Sequence, residues 1–146
     1  MRLLITRPIE DAAPLAEVLA ERGHETIIEA LMTINDVTAP DLDTDTNGVQ
    51  AVLITSANGI RAFARANAER TIPVCAVGDA SARAARELGF TQVHSAGGDV
   101  ETLAAMVEKD FNGAAGPLLH VAGTHIAGDL AGRMTQAGFE MRRVVL

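Results

Sequence analysis

Short clusters of hydroxyls, glycines and other small residues recur along this chain, each directly after an apolar run. They are Thr6-Arg7-Pro8, Thr55-Ser56-Ala57-Asn58-Gly59, Val77-Gly78-Asp79-Ala80-Ser81, Ser95-Ala96-Gly97-Gly98-Asp99 and Ala122-Gly123-Thr124-His125. Such a cluster at the start of a helix frees backbone N–H groups that can hold a carboxylate or phosphate. The simpler reading is structural: Ser56 and Asp79 cap helices, and the glycines permit tight turns. Arg7 adds a guanidinium that can grip a carboxylate with two parallel hydrogen bonds. Its alternative is a surface ion pair with Glu10 or Asp11.

Other chemistries lack their residues. There is no G-x-G-x-x-G after the first apolar run and no G-x-x-x-x-G-K-[ST], so neither nucleotide-binding signature is present. His24, His94, His120 and His125 have no metal-ligand spacing, so no metal site is expected. His120 lies inside an apolar run and reads as a hydrogen-bonded core residue. His125, at a loop-to-helix junction, is the one histidine placed near a ligand. Cys75 sits mid-run and reads as a small core residue. No nucleophile–base–acid set can be assembled.

The elements that must position these clusters alternate between short apolar runs and segments of helical period. Leu3 to Thr6 reads as a strand, 11–22 as a helix stopped by Gly23, and Thr26 to Ile28 as a second strand. The segment 38–48, with Asp41, Asp43, Asp45, Pro40, Asn47 and Gly48, reads as a linker. Strands are then predicted at 51–55, 74–77, 92–94, 118–121 and 141–146. Helices are predicted at 57–69, 80–88, 100–109 and 126–137. Runs apolar on both faces, each followed by a helix, imply an open α/β fold: a mainly parallel sheet with helices on both faces. Ligands of such sheets bind at the carboxyl ends of the strands, where the clusters fall.

Composition narrows the partners. The chain has 146 residues, 48% of them hydrophobic and 21% charged, which suits a folded domain with a core. A net charge of −7, with four Phe and no Trp or Tyr, argues against a nucleic-acid partner. No apolar stretch approaches the roughly 20 residues of a membrane span. The single cysteine forbids an intrachain disulfide, and with no signal-peptide pattern at the start the expected location is cytoplasmic.

Several segments, in order, resemble uroporphyrinogen-III synthases. They are the opening Leu-Ile-Thr-Arg-Pro, then Ala51 to Ala62 with its Thr-Ser-x-Asn-Gly core, and Val74 to Ala82 followed by Leu88-Gly89-Phe90. Gly98-Asp99 before a Leu-Ala helix, Gly116 to Gly123, and Arg142-Arg143-Val144-Val145 complete the series. The agreement extends over essentially the whole chain, although no single motif is decisive.

The resemblance implies two α/β domains joined by a two-stranded ladder, with an active cleft between them. On it, residues 1–35 are a βαβ piece of a discontinuous first domain, 36–141 are a complete second domain, and 142–146 are the returning linker strand. The remainder of the first domain would be absent, a departure that puts the activity of this chain alone in question. The implied reaction converts hydroxymethylbilane to uroporphyrinogen III in haem biosynthesis, with loss of water and inversion of ring D, and without cofactor or metal. Matching motifs places Ser56, Asn58, Ser81, Gly123 and Thr124 at the cleft with Arg7 opposite. Ser81 stands where the family often carries Thr, a hydroxyl that could assist departure of the ring D hydroxyl. The rival reading is a non-catalytic α/β module that binds tetrapyrrole or another polyanion. A phospho-receiver domain is disfavoured because Thr6-Arg7 stands where an acidic pair is needed, and a sugar-phosphate isomerase rests only on Thr55-Ser56. A βαβ unit left alone would expose apolar residues, so self-association through the N-terminal unit is also expected.

Overall fold

The computed structural model describes residues 1–39, 41–126 and 128–146. The chain divides into two compact units, Met1–Asn35 and Asp36–Leu146.

The first unit is a single βαβ turn: β1 (Arg2–Ile5), α1 (Ile9–Glu21) and β2 (Glu25–Ile28). The strands pair in parallel from Arg2↔Glu25 to Ile5↔Ile28. Alternation along each strand divides the residues between two faces. Leu3, Ile5, Thr26 and Ile28 are buried or half-buried, and Ala12 of α1 is fully buried. The opposite face shows Leu4 and Ile27, 63% and 50% exposed. The helix begins two residues earlier than its apolar period suggested: Pro8 stands at its N-cap, and the Pro8 carbonyl accepts the first hydrogen bonds, from the N–H groups of Asp11 and Ala12 at 3.0 Å.

The second unit begins with a short helix, α2 (Leu42–Thr46), formed inside the segment expected to be a linker. Leu42 is the reason: it is only 5% exposed and joins the core of the following sheet. Pro40 of that segment lies outside the described residues. The sheet then builds from β3 (Ala51–Ile54), β4 (Val74–Ala76), β5 (Val93–Ser95), β6 (Leu118–Ala122) and β7 (Met141–Val145), in the order β5-β4-β3-β6-β7 and parallel throughout. Every residue of β3, β4 and β6 is buried, as their uninterrupted apolar runs require.

One face of the sheet, with Val52, Ile54, Val74, Leu119 and Val121, packs on α3 (Ala57–Ala66) and α4 (Asp79–Glu87) through Ile60, Phe63, Ala82 and Ala85. The other, with Leu53, Cys75 and Leu118, packs on α5 (Val100–Asp110) and α6 (Leu130–Gln136) through Leu103, Val107, Leu130 and Met134. The open parallel α/β reading therefore stands.

Two further boundaries differ from expectation. Helix α3 stops at Ala66, where Asn67 turns extended. Arg70 then caps the exits of two helices, donating to the carbonyls of Ala64 (2.8 Å) and Asn67 (2.6 Å) at the end of α3 and of Leu88 (3.0 Å) after α4. Its guanidinium also lies 4.9 Å from the centre of the Phe90 ring. Helix α6 starts at Leu130, because Gly128 takes a left-handed turn (φ +80°) and Asp129 caps the helix; Ala127, within the expected 126–137 helix, lies outside the described residues. Residues 142–145 belong to β7, which is in parallel register with β6 from Leu118↔Met141 to Ala122↔Val145. Val144 is 3% exposed in the core, so this segment is the fifth strand of the sheet.

Candidate functional site

The strand order reverses at β3: the chain proceeds from β3 through β4 to β5 on one side, then returns to place β6 on the other. Such a switch point leaves a crevice at the carboxyl ends of the two central strands, because the helices that follow them go to opposite faces. The loop after β3 carries Thr55 and Ser56, and the loop after β6 carries Gly123, Thr124 and His125. The two sides are close. A methyl group built on Gly59 would stand 3.6 Å from the Val121 carbonyl oxygen, so the first turn of α3 lies against the end of β6.

Side-chain caps govern what each helix start can offer. Ser56 caps α3, accepting the Gly59 N–H at 3.1 Å. Asp99 caps α5 in a reciprocal box, accepting the Thr102 N–H at 2.9 Å while its own N–H donates to the Thr102 hydroxyl at 2.8 Å. The Thr102 N–H holds the Asp99 carboxyl below its usual range. Gly98 is required here, since a side chain on it would collide with Thr102. Asp129 caps α6 through the Gly132 N–H at 2.9 Å. Helix α4 differs: its cap is Gly78, which has no side chain to contribute. Asp79, expected to be the cap, is instead the first residue of the helix and accepts a 2.6 Å hydrogen bond from Ser95.

Ser56, Asn58, Ser81, Gly123 and Thr124 thus all stand on loops or first helical turns at one edge of the sheet. Ser56, Gly123 and Thr124 are exposed, Asn58 is half-buried, and Ser81 is 6% exposed on the inner side of α4. Thr124 and His125 hydrogen-bond each other, Oγ1 to Nδ1, at 3.2 Å. Arg7 belongs to the first unit, exposed just after β1. A contact missed in the sequence is Arg61, whose guanidinium donates to Asn58 Oδ1 at 2.9 Å; the i, i+3 spacing was its only available signal.

Two grooves lie elsewhere. A groove of about 420 Å³ runs between residues 36–39 and α3, beside the Arg65–Asp36 ion pair. Another, of about 300 Å³, lies between α3 and α4. Neither is lined by any of the expected site residues.

The buried ionisable groups are poorly suited to catalysis. Burial pushes the Cys75 thiol up to about 12, which keeps it protonated and inert. His120 is 2% exposed, and its Nε2 has no hydrogen-bond partner, contrary to the bonded core histidine expected. Among the described residues, no group of three or more His, Cys, Asp or Glu is placed to hold a metal ion, and no helix is long and apolar enough to cross a membrane.

Solved structures share this fold. Uroporphyrinogen III synthase from the extremely thermophilic bacterium Thermus thermophilus superposes with a TM-score of 0.60 at 16% identity, over 99% of this chain and 60% of that one. The enzyme from Helicobacter pylori gives 0.56 at 17% identity, again over 99% and 60%. The chain therefore spans about 60% of the length of these structures. No curated protein sequence matches it. The family model for uroporphyrinogen-III synthase HemD matches residues 13–146, nearly the whole chain, and the chain belongs to that family.

Proposed function

We propose that this chain carries the hydroxymethylbilane-binding edge of a uroporphyrinogen-III synthase acting in cytoplasmic tetrapyrrole biosynthesis. The observation that carries the reading is the convergence of Ser56, Asn58, Ser81, Gly123 and Thr124 on one sheet edge, in a chain of this family. The substrate is a linear tetrapyrrole with eight carboxylates. Its hydroxymethyl group leaves as water, and the resulting azafulvene is attacked by ring D at its substituted carbon. A spiro intermediate then fragments and recloses inverted. The pyrroles supply the reactivity, so the protein's task is to fold the chain and hold its carboxylates. Hydroxyls and free helical N–H groups suit that task. Ser81, beside the start of α4, is the hydroxyl proposed to assist departure of water, and Arg7 is proposed to hold a carboxylate from the first unit.

A second reading is a module that binds tetrapyrrole without turning it over, since the site residues offer hydroxyls, an amide and backbone N–H groups and no acid–base pair. Incubation with hydroxymethylbilane and analysis of the isomer separates the two. Uroporphyrinogen III as product is the expected result, whereas only the spontaneous type I isomer would leave the binding module. For binding itself, Ser56→Ala with Ser81→Ala is expected to weaken uroporphyrin III affinity about tenfold or more per site, since a hydrogen bond to a charged group contributes about 1.5–3 kcal/mol. Unchanged affinity in the double variant would place the binding edge elsewhere.

A further inference from the structure

We infer that Arg61 is a positioning residue that makes Asn58 a hydrogen-bond donor toward the ligand. The inference rests on the proposed site, of which Asn58 is a part. An asparagine amide can turn either end outward, and the two ends have opposite chemistry: Oδ1 accepts, and the NH2 group donates. Arg61, one turn further along α3, settles the choice. A guanidinium carries donors only, so the atom it meets at 2.9 Å must be Oδ1. The two Asn58 N–H bonds are then turned away from Arg61.

The neighbouring group is set in the same sense. Ser56 Oγ already accepts the Gly59 N–H, which leaves the hydroxyl proton to donate. The first N–H groups of α3 have no carbonyl partner within the helix and donate as well. The first turn of α3 therefore gathers several donors, a pattern that favours a carboxylate over an ammonium. Arg61 itself lines the groove between α3 and α4 with Ala64, Ala84 and Glu87, a groove that includes none of the site residues. Its influence on a ligand thus passes through Asn58.

The test is a double-mutant cycle in the 146-residue chain, read by titration with uroporphyrin III, together with 15N relaxation of the Asn58 side-chain NH2 group. Arg61→Gln is expected to weaken affinity about five- to tenfold, and Arg61→Lys to restore most of the loss, because an ammonium also only donates. In an Asn58→Ala background, Arg61→Gln should have no further effect. An equal loss in both backgrounds would overturn the inference, since Arg61 would then be acting directly on the ligand. No loss from Asn58→Ala alone would overturn both the inference and the placement of Asn58 at the site. The relaxation measurement stands apart from ligand binding: the Asn58 amide should become more mobile in Arg61→Gln, and unchanged order would overturn the positioning role even if uroporphyrin III fails to bind.

Discussion

Both units use the same sequence device, an apolar strand followed by an Ala-rich helix and a second strand, yet they use it differently. In the second unit the device repeats until five strands are covered on both faces, and β3, β4 and β6 bury every residue. In the first it occurs once. One helix covers one face of two strands, while Leu4 and Ile27, together with Leu31, Met32 and Ile34 that follow, remain exposed. The comparison teaches that a single βα step covers only one face of its own strand. Burial comes from helices contributed by later steps, so stability grows with repetition rather than with the quality of any one motif.

The largest test of this contrast is Leu53→Ala. Leu53 is fully buried at the centre of the five-stranded sheet, and its truncation should destabilise the second unit by about 2–5 kcal/mol. A small loss in urea or thermal unfolding would show that the sheet interior is far looser than its burial indicates.

Arg70→Ala comes next, at about 2 kcal/mol. It strips hydrogen bonds from the exits of α3 and α4 and removes the contact over Phe90. Unfolding midpoints of Arg70→Ala and Arg70→Lys should both fall, since an ammonium cannot span both helix ends; an unaffected Lys variant would reduce the role of Arg70 to its charge.

A smaller effect should appear as a pH dependence. Burial, reinforced by Arg143 beside it in register, holds the folded-state pKa of His120 below its ordinary 6.5. As pH falls through about 6.5 the unfolded chain takes up a proton that the folded chain refuses, so stability drops until the lowered folded value is passed. The carboxyls of Asp36, Glu69 and Asp99 are also lowered, so their contribution is lost only as pH falls through the carboxylate range. His120→Leu should flatten the unfolding free energy just below about pH 6.5. A slope that survives this substitution would assign it to another group.

The smallest stability change is expected from Leu4→Ala, within about 0.5 kcal/mol, because that side chain is already largely in water. The same exposed face is proposed to make the chain self-associate. Sedimentation over a concentration series should show mass rising with concentration, and Ile27→Lys should suppress it. A monomer at every concentration would mean that the first unit tolerates its apolar surface alone.

The sequence by itself determined the alternation of elements, because a strand buried on both faces must be apolar throughout and a helix covering it must repeat its apolar residues every three to four positions. It also located the loops, since glycines and hydroxyls gather where backbone groups lack partners. Ends of elements were less legible. Asn67 ends α3 early with Arg70 bonded to the exposed carbonyls, and Leu42 draws a helix out of an Asp-rich segment by reaching a core distant in sequence, neither of which an apolar period records. Strand 141–145 was visible as a strand, but its partner was not, because apolar spacing records burial and is silent on neighbours. Only the tertiary structure decided that the order reverses between β3 and β6, which brings Ser56 and Gly123, 67 positions apart in the sequence, to the same crevice. It alone decided which end of Asn58 meets Arg61, since that depends on a donor placed one helical turn away. Local patterns specify what each segment can bury and donate; which segments meet is set by the packing of all of them at once.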